Sequence, residues 1–305
     1  MHRRWLWLLV PLVALWELGA HIYFSRRAPT LEEYRTLVAP VRAVKQPDDA
    51  LVFAPAWAAP LARHALGDGL WPLDDLTRPS LDTARRVVEL SILGQTSREV
   101  ASWPIQRASQ HGPFQLRVRT NPAYEKPLFQ VVDAVARGQV HVFRRHEGTR
   151  YDCRYKANAP PRTGGLHGHV AFPKQRFVCG KEEVEFVGVT IIDDQDYRPR
   201  RCVWAHPPRQ GVLWLRFDDV PFGDELLIHA GLSYFTMRDG MGPSISLRAY
   251  VEGNRIGSHR HQDEQGWVAA RMTTSRYRNT RGRLEFEISS AGFEHRHFCF
   301  SAMTR

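Results

Sequence analysis

A long apolar stretch at the amino end decides how much of this chain can fold in water. Residues 1–4 carry positive charge, residues 5–16 are unbroken apolar sequence, and only Glu17 and His21 interrupt the run before Phe24; Ser25, Arg26 and Arg27 then close it. A helix that crosses a bilayer needs about 20 mostly apolar residues, which this stretch supplies. Trp5, Trp7, Trp16 and Tyr23 put aromatic rings near its ends, where headgroups favour them. Glu17 and His21 are four apart, share one helix face and could pair. Two alternatives stay open: a cleaved signal peptide with Leu18-Gly19-Ala20 as its small-residue site, and a buried helix. Two arginines on each side leave the orientation unset. The cysteines break the tie. Cys153, Cys179, Cys202 and Cys299 all lie in the second half, and an even number suggests disulfides in an oxidising compartment. The expectation is a single-pass membrane protein, held in the lipid bilayer through residues 5–24. Its body is extracytoplasmic, which means periplasmic in a Gram-negative cell.

The chain has 305 residues, enough for about two domains beyond such a leader. Its hydrophobic content of 43% permits ordinary cores. The net charge of +10 comes from arginines spread along the chain rather than set on one periodic face. Nucleic-acid binding needs a coherent basic surface, so no nucleic-acid partner is expected. A basic exterior instead favours anionic headgroups or acidic glycans.

The expected class is α+β: an N-terminal transmembrane helix, a small α/β domain and a C-terminal antiparallel β-sandwich of jelly-roll type. The domain bounds read as 1–27, 28–122 and 123–305. Thr30, with Glu33 three residues on, forms a capping box, and a helix of about ten residues should follow and stop before Pro40. Residues 50–55 (ALVFAP) read as a buried strand, 60–65 as a helix ended by Gly67, 82–86 as a helical turn, 87–93 as a β-branched strand and 114–119 as an alternating strand. Strand–helix–strand order points to an α/β unit. Residues 128–136 read as a brief helix. Strands then dominate, at 140–144, 185–192, 212–217, 226–230, 244–252, 267–270 and 283–289, with Gly, Pro, Asp and Asn between them. That spacing suits a sandwich. Gly188, Gly231 and Gly257 in or beside strand-like runs fit bulges or sharp bends.

The most unusual segment is residues 196–204 (DYRPRRCVW). Guanidinium groups clamp carboxylate or phosphate bidentately, and aromatic faces stack on sugars. Tyr197, Arg198, Arg201 and Trp204 are therefore candidate ligand-binding residues. The competing reading is a surface loop with its arginines paired to nearby aspartates. Asp193, Asp194 and Asp196 follow a strand and could hold a structural calcium ion; otherwise they make a turn whose carboxylates bond backbone amides. His167/His169, His259/His261 and His295/His297 are His-x-His pairs, each able to turn two imidazoles to one side of a strand. His167 and His169 join the ligand candidates. No Gly-x-Ser-x-Gly elbow and no Cys-x-x-Cys pair occurs, and no catalytic residue is assigned. Spacing leaves the disulfide pairing open. Cys153–Cys179 and Cys202–Cys299 are favoured because the first closes a short loop and the second ties the last strand back to the sheet.

His259-Arg260-His261, with Gly253 before and Glu264 after, resembles the first metal-binding motif of cupins, but its His-to-Glu gap is short and no second motif follows. Residues 247–271 resemble the late strands of galactose-binding-like jelly rolls: a Val251-Glu252-Gly253 hairpin, then Gly266-Trp267. That resemblance implies that Trp267 packs on the opposite sheet and that rim loops bind ligand, in many members a carbohydrate. Residues 49–55 distantly resemble extracytoplasmic segments of lipid-linked-sugar glycosyltransferases, though no catalytic residue of that family maps here. The function expected is non-catalytic: recognition of cell-envelope glycan or lipid-linked sugar, or scaffolding of an envelope complex with a membrane-protein partner. The alternative is an envelope hydrolase or metal-dependent enzyme using Asp193, Asp194 or the histidine pairs.

Overall fold

The computed structural model describes residues 6–25, 29–161, 171–238 and 242–305. The chain divides into two units, Met1–Pro72 with Arg86–Pro122, and Leu73–Arg85 with Ala123–Arg305.

The first unit opens with helix α1 (Leu6–Ser25), which contains Pro11. Among its described side chains Leu9, Leu12, Leu15 and Trp16 are exposed. Among the described residues no helix is long and apolar enough to cross a membrane. Thr30 caps α2 (Leu31–Arg35), and both hydrogen bonds of the capping box form. The helix does not continue as one piece to Pro40. A second helix, α3 (Val38–Val44), starts after it and carries Pro40 in its first turn. The missing N–H costs nothing there, because first-turn amides have no intrahelical partner. Strand β1 (Ala50–Ala54), helix α4 (Ala59–Leu66) and strand β2 (Arg86–Ser91) form a parallel strand–helix–strand unit. Gly67 ends α4 at φ 74°. Strands β3 (Ile105–His111) and β4 (Phe114–Thr120) complete a four-stranded sheet of order β1-β2-β4-β3. β3 shows little hydrophobic alternation and is largely exposed, which hides it from a periodicity reading. Tyr34 packs on Phe53 and Phe114 in this core, with ring centroids 5.7 and 4.8 Å away.

The second unit is the β-sandwich. It takes in the short helix α5 (Leu73–Leu76) and the turn after it, where residues 82–86 make no helix. Strand β5 (Phe129–Gln130) and helix α6 (Val131–Ala136) come next. Strands β6 (His141–His146), β7 (Thr149–Asp152), β8 (Arg154–Lys156), β9 (Arg176–Val178), β10 (Phe186–Asp193), β11 (Pro199–Ala205), β12 (Val212–Pro221) and β13 (Glu225–Leu232) follow. After helix α7 (Tyr234–Arg238) come β14 (Ile245–Val251), β15 (Asn254–His261), β16 (Val268–Thr273), β17 (Arg281–Ser290) and β18 (Phe298–Thr304).

These strands form two antiparallel sheets. One is eight-stranded, ordered β16-β13-β18-β11-β10-β9-β8 with β5 beside β18; the other is six-stranded, ordered β15-β14-β17-β12-β6-β7. The main core lies between them. Val203, Ile228, Ala230 and Phe300 from the first sheet meet Leu213, Leu215, Leu247, Phe286 and Ile288 from the second. Alternate residues of β14, of β17 and of β12 as far as its bulge after Phe217 face inward, as period-two patterning requires. A smaller cluster of Phe172, Phe186, Ile192, Cys202, Trp204 and Cys299 lies apart from this core. Trp267 packs against that cluster, not against the opposite sheet as the jelly-roll resemblance implied. Gly231 makes room for it: a Cβ there would sit 2.7 Å from the Trp267 ring. Cys153–Cys179 and Cys202–Cys299 are both disulfide-bonded, the pairing favoured from the sequence.

Segment Leu73–Arg85 lies along the eight-stranded sheet as a strap. Thr77 O accepts from the Arg201 amide at 2.7 Å, Pro79 O from the Trp267 indole at 2.6 Å, and Asp82 Oδ2 lies 3.0 Å from His229 Nε2.

Candidate functional site

The segment singled out in the sequence is a hairpin and a strand inside the fold. Asp194 Oδ1 accepts from the amides of Asp196 and Arg198, both at 2.9 Å, and Oδ2 accepts from Arg200 Nε at 2.8 Å. This buried carboxylate shapes the β10–β11 turn. Asp193 and Asp196 are exposed at its edges. Among the described residues no group of three or more His, Cys, Asp or Glu is placed to hold a metal ion, so Asp193, Asp194 and Asp196 form no such site.

Trp204 is 0% exposed, stacked on Phe186 at 5.5 Å, with its Nε1 donating to Val184 O. Its ring presents no face to a ligand, which corrects the expectation for this residue. The physical reason is that β11 is an interior strand paired on both sides, by β10 and β18. Arg201 lies near Asp133 at 3.5 Å and Asp74 at 3.9 Å. Tyr197 is 66% exposed at the turn, at φ 57°, with its ring 4.3 Å from that of Tyr234. Arg198 is half-buried beside it. The four residues thus do not converge on one surface. His167 and His169 lie outside the described residues. His259 Nε2 and His261 Nδ1 are 3.5 Å apart, and Glu264 is exposed in the turn beyond them.

The six-stranded sheet presents a different constellation on the face away from the core. Cross-strand register sets its side chains in rows. One row runs Asp152, Phe143, Trp214, Glu287, Arg248, Ser258. The next runs His141, Arg216, Glu285, Tyr250, Arg255. On the other side lie Arg150 and Arg145 on β7 and β6, and Ser246 and Arg260 on β14 and β15. Adjacent strands lie about 4.8 Å apart, so neighbours in a row touch.

Aromatic rings form the middle of this face. Phe143 and Trp214 lie parallel at 6.1 Å, and Trp214 meets Tyr250 at 5.4 Å. Phe143 is buried beneath Arg150, whose guanidinium carbon is 4.0 Å from the ring centroid, while Trp214 and Tyr250 stay partly exposed. Glu287 accepts from Tyr250 Oη at 2.7 Å and from Arg248 Nη1 at 2.5 Å. Burial first, and then this bond to Glu287, raise the Tyr250 phenol above its ordinary value, so it stays a neutral donor. The rotamers of Tyr250 and Arg248 are thereby held by one carboxylate. Such a face can stack a sugar ring on its indole and phenol and bond hydroxyl or acidic groups with the polar groups around them. Each strand's period-two alternation was legible, but which rings become neighbours depends on strand order.

The principal cavities offer less. One of about 520 Å³ is lined by Glu125, Asp224, Glu225, Arg271, Thr273 and Arg305. Arg271 and Arg305 both donate to Glu225 there, and Arg278 pairs with Asp224, so its charges largely satisfy one another.

No protein-family model matches the chain, and no curated protein matches it. Several solved structures of carbohydrate-binding modules share part of its backbone course. CBM51 from Clostridium perfringens GH95 in complex with methyl-galactose is 10% identical, with TM-score 0.29, over 38% of this chain and 81% of that one. The CBM51-2 and INT domains of Clostridium perfringens ZmpB are 9% identical, with TM-score 0.29, and the match spans 38% of this chain but only 26% of that one. The tandem CBM51 modules of a family 98 glycoside hydrolase from Streptococcus pneumoniae are 7% identical, with TM-score 0.30, over 63% of this chain and 54% of that one. Superpositions of this size assign neither ligand nor activity here.

Proposed function

We propose that the β-sandwich is a non-catalytic glycan-recognition module, carried on an exported chain. The observation behind this reading is the Phe143–Trp214–Tyr250 stripe on the outer face of the six-stranded sheet, with Arg248 and Glu287 held beside it. Aromatic rings on a solvent face cost hydration unless something covers them, and the apolar face of a pyranose is a matching cover. Export is supported by two disulfides, which persist in oxidising compartments. Residues 5–24 would hold the chain to the lipid bilayer, a role supported by their apolar sequence alone. Lipid-linked sugar is an alternative source of the same ligand chemistry, suggested only by the resemblance of residues 49–55.

The test is retention of the purified full chain on immobilised polysaccharides. Trp214→Ala with Tyr250→Ala should cost about tenfold or more in affinity, since each stacked ring contributes of order 1 kcal/mol. Undiminished retention by a folded double variant rejects the face as the site. Recovery of the intact chain from the cytosol would reject export.

A further inference from the structure

The charge on this face is unequal. Its three groups of cross-strand neighbours contain Arg145, Arg150, Arg216, Arg248, Arg255 and Arg260 against Asp152, Glu285 and Glu287. Three of the arginines are neutralised locally: Arg150 by Asp152 at 2.6 Å, Arg216 by Asp218 at 2.9 Å and Arg248 by Glu287 at 2.5 Å. The other three have no carboxylate within ion-pair distance among the described residues. Arg145 lies over the rings of Phe143 and Trp214, 5.5 and 5.2 Å from their centroids. Among the described residues Arg255 donates only to Ser258 Oγ, and Arg260 only to Ser244 Oγ. All three are exposed.

Their placement is as informative as their number. Arg145 is on β6, and Arg255 and Arg260 are on β15, at opposite sides of the aromatic stripe. Four strand spacings separate β6 from β15, roughly 19 Å. Trp214 and Tyr250 lie between them. A neutral ligand laid across this span would strip water from three guanidinium groups and return weaker bonds. An anionic chain would return charge-assisted, bidentate ones. A bilayer surface fits less well, because among the described residues of these rows only Val212, paired with Arg145, is aliphatic.

We propose that this face binds an acidic glycan, a polysaccharide bearing carboxylate, sulfate or phosphate groups. Its sugar rings lie on Trp214 and Tyr250, and its anionic groups meet Arg145 on one side and Arg255 and Arg260 on the other. This rests on the glycan reading above and adds the ligand's charge to it.

The experiment compares the full chain in mild detergent on polygalacturonate, on heparin, on neutral galactan and on single-stranded DNA. Binding to at least one acidic polysaccharide should exceed binding to galactan by about tenfold or more, and should weaken steeply between roughly 50 mM and 500 mM salt, where screening sets in. The triple variant Arg145→Ala, Arg255→Ala, Arg260→Ala should lose about tenfold or more of the acidic binding, since each charge-assisted bond contributes of order 1.5 kcal/mol. Its thermal midpoint should stay near the parent's, because all three side chains are exposed. Equal binding to galactan, unchanged in the triple variant, overturns the acidic-glycan proposal and leaves glycan recognition standing. No binding to any polysaccharide overturns both. DNA bound more tightly than either acidic polysaccharide overturns the proposal in favour of a nucleic-acid surface.

Discussion

Burial controls the ionisation of His206 and His261. Desolvation lowers His206 to about 4, with its ring 4.6 Å from Phe293 and 5.7 Å from His297. Desolvation also lowers His261 to about 4, and His259 adds to the effect. Both imidazoles are neutral in the folded chain at pH 7, whereas an unfolded chain takes up their protons near pH 6.5. Their contribution is therefore complete above about pH 6.5 and is lost as pH falls towards 4. The thermal midpoint should drop steadily across that window. His206→Gln with His261→Gln should lower the midpoint at neutral pH and flatten its pH slope; a slope as steep as the parent's counts against this account. A lone His in a sequence carries no sign of such burial, because the enclosing rings come from distant strands.

Among the elements, the strap Leu73–Arg85 is held by specific bonds rather than by a large apolar face. Its hydrogen bond with His229, helped by one with Ser80 and by the charge of Arg305, lowers Asp82 to about 2 against the cost of burial. A depressed carboxylate stabilises the fold above the ordinary value near 3.9, and this is lost as pH falls through about 2. Asp82→Asn should cost roughly 2 kcal/mol at pH 7. It would also leave the buried His229 ring without its carboxylate. Limited proteolysis reads this directly: faster cleavage within residues 73–85 is expected, and an unchanged cleavage pattern would show that the pair does not hold the strap. From composition alone this segment reads as loop and helical turn in the first domain. Strands β4, β12 and β14 were legible because each alternates buried and exposed residues. β11 was not. Buried on both faces near its end, it does not alternate, and Pro199, Arg200 and Arg201 gave it a loop-like composition. That composition points to Trp204 as a binding residue, whereas it is a core residue of an interior strand.

Across the whole molecule, the two disulfides tie the sandwich together at different ranges. Cys202–Cys299 joins residues 97 apart and links β11 to β18, while Cys153–Cys179 joins residues 26 apart near the β8 end of the sheet. Loop-closure entropy assigns roughly 4–5 kcal/mol to the first and roughly 3–4 kcal/mol to the second. Cys202→Ala with Cys299→Ala should lower the urea midpoint more than Cys153→Ala with Cys179→Ala, and the reverse order would contradict this. The sequence by itself determined the features that arise within a few residues of each other: the Thr30 cap, the Gly67 stop, the alternating strands and an even set of cysteines in the β half. Only the tertiary structure decided that Trp204 is enclosed and that Trp214, Tyr250 and three arginines without a carboxylate partner among the described residues share one open face. Those neighbours come from strands far apart in the chain. Their meeting depends on strand order and register, which the interactions within any one segment do not specify.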